Sequence, residues 1–181
     1  MRNCRLTPHR SSKRTGAVLK CLIILAGKGN TGKSGTLAKL GDLLRGESSS
    51  FYEHKNQTNS RDRQIVIYYK RANIGIGTAG DSKRLVRDNI QFFKLQKCRI
   101  GILAANISGA VQLDAHIQKW AKKKGVKCAT IHKPDFDTEL GREAIQVACI
   151  EAIKRSLFNC SPIGKIVKAI IAEDAAITKL R

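Results

Sequence analysis

Ten residues, AGKGNTGKSG from Ala26 to Gly35, set the tightest limit on what this chain can become. Before them runs Ala17–Leu25, nearly continuous in apolar and β-branched side chains, the pattern of a strand buried on both faces. After them, from Lys33 to Leu44, Leu37, Leu40, Leu43 and Leu44 recur at helical spacing. A chain that passes from buried strand to helix through glycines at 27, 29 and 32 leaves its main-chain N–H groups uncovered and close to a ligand. The helix start at Lys33, with the lysines at 28 and 33, favours negative charge there.

Gly27, Gly32, Lys33 and Ser34 spell G-x-x-x-x-G-K-[ST], and each letter has a physical task. The glycines let successive amides aim inward at a phosphate, and Lys28, Gly29, Asn30 and Thr31 complete the cradle through theirs. Lys33 reaches the terminal phosphates as a point charge, and Ser34 offers its hydroxyl to Mg²⁺. Strand, loop and helix in this order resemble the P-loop NTPase superfamily, and the resemblance extends through later segments to about His132. It implies nucleotide contacts from Gly27 through Gly35, a bound ATP or GTP with Mg²⁺, and either hydrolysis or transfer of the terminal phosphate.

The rest of the chain supplies a matching order of elements. RGESSSFYEHKNQTNSRDR (Arg45–Arg63) is polar and serine-rich and reads as a long mobile loop. QIVIYYK and ANIGIGT are strand-like runs close enough to form an antiparallel hairpin. GDSKRLVRDNIQFFKLQK reads as a helix with Leu85, Ile90, Phe93 and Val86 on its apolar side and Asp81 or Ser82 as N-cap. CRIGILAAN is a buried strand, GAVQLDAHIQKWAKKKG a helix stopped by Gly125, and VKCATIH a further strand. Helices follow over Glu139–Phe158, with Leu140, Ile145, Cys149, Ile153 and Leu157 as its stripe, and over Ile163–Leu180. The expectation is an α/β domain over 17–181 behind a basic disordered tail at 1–16. Its fold would be a three-layer P-loop NTPase-like one, with a mainly parallel sheet, one antiparallel hairpin strand and C-terminal helices.

In open α/β sheets, ligands gather at the carboxyl ends of strands. Three such ends are GTAGDS, AANISG and HKPDFD. Asp81 is a candidate for holding Mg²⁺ or positioning water, and also for capping the helix behind it. Asn106 and Ser108 would orient a phosphate or an attacking water, or satisfy their own loop; Asp135 and Asp137 are further acids. The order of pieces also resembles a small GTPase. Thr58 would stand for the switch threonine, Gly77–Gly80 for Asp-x-x-Gly, and Asp81 for the water-positioning glutamine. His132-Lys133-Pro134-Asp135 would stand for [NT]-K-x-D, with Lys133 flanking a base and Asp135 accepting from guanine; Gly77 and His132 depart from that pattern. A kinase-like reading draws instead on Arg61, Arg63, Lys83, Arg84 and Arg87 as phosphate grips, with Asp62 or Asp81 as base.

Charge widens the set of partners. Lys and Arg number 34 against 14 Asp and Glu, a net +20, which attracts polyanions. An alternative function is therefore a basic module gripping nucleic acid or an acidic protein, with nucleotide as a conformational ligand; KWAKKKGVK and the N-terminal tail are its basic segments. The six cysteines form no CxxC pair and read as small core residues in a reducing, cytoplasmic setting, without zinc or disulfides. No apolar run reaches membrane-spanning length, and MRNCRLTPHRSSKRTG has the composition of a transit peptide but no secretory core.

Overall fold

The computed structural model describes residues 19–46, 50–55, 62–69, 72–108, 112–135 and 139–159. The tail expected at 1–16 and the helix expected at Ile163–Leu180 lie outside them. The elements run β1 (Cys21–Gly27), α1 (Lys33–Arg45), β2 (Ser50–Lys55), β3 (Arg63–Tyr69), β4 (Ala72–Gly77), α2 (Lys83–Leu95), β5 (Ile100–Asn106), α3 (Leu113–Lys123), β6 (Lys127–His132) and α4 (Glu139–Asn159). The six strands form one mixed sheet in the order β2-β3-β4-β5-β1-β6. β4, β5, β1 and β6 pair in parallel, while β3 runs antiparallel to both its neighbours, so the expected hairpin is present as β3–β4.

β1 is buried along its whole length because its alternate side chains enter two different cores. Cys21, Ile23 and Leu25 meet Leu37, Leu40 and Leu44 of α1 and Cys149, Ile153 and Leu157 of α4. Leu22, Ile24 and Ala26 face the other way, onto Val86, Ile90 and Phe93 of α2 and Leu113, Ile117 and Ala121 of α3. Helices thus cover both faces of the sheet. Each fully buried branched or aromatic side chain contributes about 1.5–3 kcal/mol by leaving water.

Phe93 fits a notch made for it. Gly75 and Gly101 are register partners on β4 and β5, and a Cβ on either would stand 2.4 or 2.5 Å from the Phe93 ring. Two adjacent glycines therefore let the fully buried ring lie directly on the sheet. At the other end of α2 the N-cap is Ser82, whose hydroxyl accepts from the Leu85 amide at 3.3 Å, and Asp81 is left out of the cap.

Three expectations change. The polar segment after α1 contains strand β2, paired with β3 from Ser50↔Tyr68 to Lys55↔Arg63, where a mobile loop was expected. An edge strand needs apolar side chains on one face only, and Phe51 supplies them, packing on the core with the Arg45 guanidinium 4.6 Å from its ring. Leu43 is 48% exposed, because the core face of α1 is already filled by Leu40 and Leu44. Cys21 is disulfide-bonded, whereas no disulfide was expected. Cys98, Cys128 and Cys149 are free thiols, and burial pushes Cys98 up to about 12. Among the described residues no helix is long and apolar enough to cross a membrane.

Candidate phosphate-binding site

β1 ends at Gly27 and α1 begins at Lys33, so five residues make the turn between them. Asn30 (φ 61°) and Gly32 (φ 75°) take left-handed torsions, which glycine and asparagine adopt most readily. Such residues alternating with right-handed ones curl a chain so that its N–H groups converge. The first backbone bond of the helix runs from Thr36 N–H to the Gly32 carbonyl at 3.0 Å, and Gly32 offers no side-chain cap. Among the described residues, the amides of Asn30 to Gly35 donate to no protein acceptor. Unpaired amides at the positive end of a helix form an anion site.

Lys33 lies inside this turn. It is 5% exposed, and its ammonium donates to the Lys28 carbonyl and stands 3.5 Å from Thr31 Oγ1. Burial lowers its pKa from the ordinary 10.5, and the carboxylate of Asp81 opposes that shift. Asp81 is therefore within electrostatic reach of the lysine, from the loop after β4. Ser34 ties the same loop to the helix, its hydroxyl donating to the Thr78 carbonyl at 2.9 Å. With its proton so placed, the Ser34 oxygen keeps its lone pairs for a cation.

The loop after β5 closes the third side. The Gly29 amide donates to Ser108 Oγ at 3.0 Å, and the Ser108 amide to Asn106 Oδ1 at 2.8 Å. Ile107 N–H reaches the Gly27 carbonyl, and Asn106 N–H the Gly80 carbonyl. Gly80 is required there, because a Cβ would stand 2.1 Å from the Ala104 carbonyl oxygen. Asp81, Lys83, Arg84, Asn106 and Ser108 line an adjoining cleft of about 470 Å³. Among the described residues no three His, Cys, Asp or Glu side chains cluster as metal ligands. That fits Mg²⁺, which takes one or two carboxylates and completes its shell with phosphate oxygens and water; Ser34 and Asp81 are the residues that would hold it.

Lys133, which the GTPase-like reading sets beside a base, is 4% exposed and donates to Thr36 Oγ1 at 2.5 Å and to the Gly32 carbonyl at 3.3 Å. It therefore braces the turn from beneath, because β6 ends beside the start of α1 in the parallel register Ala26↔His132. Asp135 is exposed and stands 3.8 Å from Lys28 Nζ, a pair worth little in water. Arg63 grips no phosphate position: it pairs with Glu53 at 3.4 Å and Asp42 at 3.7 Å. Asp62 lies beside it in a separate cavity with Asn89. Arg87 lies on the outer face of α2, while Thr58, Arg61 and Asp137 are outside the described residues. Thr36 and Thr78 are contributors that no motif letter announces.

The two buried lysines set a pH dependence. Burial lowers both in the folded chain, and Lys33 further lowers Lys133. Between each lowered value and 10.5 the unfolded chain binds more protons, so this contribution to stability rises with pH across that window. An anion in the turn would restore the charge on Lys33. Calorimetric titration with Mg-ATP just below the ordinary lysine value of 10.5, in two buffers of different ionisation enthalpy, should show net proton uptake that fades as pH falls through the lowered value.

Compared with known proteins, the chain matches no family model, no curated protein and no solved structure.

Proposed function

We propose that the protein binds the triphosphate of ATP or GTP with Mg²⁺ in the turn from Gly27 to Gly35, and hydrolyses or transfers the terminal phosphate on a three-layer P-loop NTPase-like fold. One observation carries the reading: a turn with Asn30 and Gly32 in left-handed torsions, its amides from Asn30 to Gly35 without protein acceptors and a buried Lys33 ammonium within it, at the carboxyl end of β1 between β5 and β6. The amides of Asn30 to Gly35 hold phosphate oxygens, and Lys33 swings from the Lys28 carbonyl onto the outer phosphates. Ser34 and Asp81 are the residues that would hold Mg²⁺, which would supply charge neutralisation on the phosphates. Asp81 is available for this because Ser82 has taken the helix cap. Lys83 and Arg84, on the wall of the adjoining cleft, are the cations placed to steady charge on the group in transit. The Lys133 ammonium is engaged beneath the turn, and the base is left open between guanine and adenine.

Thermal unfolding with a nucleotide panel, with and without Mg²⁺, tests this. At about a hundredfold excess over Kd, a triphosphate should raise Tm by about 5–10 °C. The Mg²⁺-dependent part should vanish in Asp81→Asn, and phosphate release in the same samples reads out turnover. A flat response to every triphosphate at millimolar concentration would sink the proposal.

A further inference from the structure

α2 and α3 lie side by side on the sheet face away from α1 and α4. Between them runs a groove of about 530 Å³. Its floor is aliphatic, made by Val86, Ile90 and Ile117, with Trp120 at one end. Its rim is cationic: Lys83, Arg84 and Arg87 in the first turns of α2, and Lys94 in the last, held 5.2 Å from the Trp120 ring centre. No carboxylate lines it among the described residues; Asp88 stands outside, paired with Arg84 at 3.8 Å.

We propose that this groove docks an acidic amphipathic helix from a partner protein. The placement of charge selects that occupant. From Lys83 to Lys94 the groove is about 16 Å long, three helical turns, with Lys83, Arg84 and Arg87 along its first half, Lys94 at the far end, and Gln91 and His116 beside the aliphatic floor. A helix with acids at its ends and Leu- or Ile-like side chains in its middle matches this in both charge and polarity. A nucleic-acid strand would gain little from the aliphatic floor of Val86, Ile90 and Ile117. It would also find its single stacking surface, Trp120, already covered by Lys94. Lys83 and Arg84 belong as well to the cleft beside Asp81, so the acidic end of a docked helix sits at the edge of the proposed nucleotide site. The docking itself does not depend on that site.

Selection from a displayed library of random peptides of about 16 residues, against the full chain, tests the assignment. The expected result is enrichment of sequences with Asp or Glu flanking apolar residues at helical spacing. Binding of the enriched peptides should fall about tenfold or more in Arg87→Glu and further in the double variant with Lys94→Glu. Both substitutions are on exposed side chains, and circular dichroism confirms the fold. No enrichment, enriched peptides indifferent to both substitutions, or binding of a dT16 oligonucleotide lost in the same variants without any peptide binding, each overturns it.

Discussion

Lys33→Ala is expected to weaken Mg-nucleotide binding by roughly a hundredfold, the size of one well-placed charged hydrogen bond. The fold should stay at least as stable. The native ammonium is buried at a cost, seen in its lowered pKa, and alanine removes that cost. The Lys28 carbonyl does not lose all its partners, because Thr31 Oγ1 still donates to it at 3.0 Å. Isothermal titration gives the affinity and urea unfolding the stability. Equal affinity in the variant would remove Lys33 from the site, and a large loss of stability would recast it as a structural brace.

Gly80→Ala is expected to destabilise the protein by about 3 kcal/mol, at the upper end of ordinary overpacking. The added methyl would meet a main-chain carbonyl of β5, which cannot rotate away as a side chain can. Either the loop lifts, breaking the Asn106 N–H bond to the Gly80 carbonyl, or the strand end bends. Both move Asp81, the next residue, relative to Lys33. Denaturant midpoints should therefore fall together with the Mg²⁺-dependent part of nucleotide binding. A variant of wild-type stability would mean that the crossing of loop and strand is slack.

Most elements were legible because each carried a signal within its own residues. β1 and β5 are continuous aliphatic runs, α2 and α3 have one apolar stripe, and α3 is stopped by Gly125 at φ 65°. The turn from Lys28 to Gly32 could be placed because backbone supplies most of it, and backbone geometry is written in glycine spacing. What could not be read depends on neighbours distant in sequence. β2 exists because β3 offers hydrogen bonds along a free edge, and its own residues are mostly polar. That Lys133 reaches beneath the turn shows only once β6 is set beside β1, where the Gly32 carbonyl and Thr36 Oγ1 accept from it. Asp81 and Ser82 were equal choices for a cap, and only the direction of the Ser82 hydroxyl separates them.

The ring of Phe93, seated over Gly75 and Gly101, works as a detent for its helix. Sliding α2 by one turn, about 5.4 Å, would lift that ring out of its recess and pull the Asn89 side chain off Gly77, where it is seated just as closely. A helix indexed in this way does not act as a piston. Among the described residues, the short connections at Lys28–Gly32, Thr78–Asp81 and Lys133–Asp135 are the places where the chain can shift while α2 holds still as their reference.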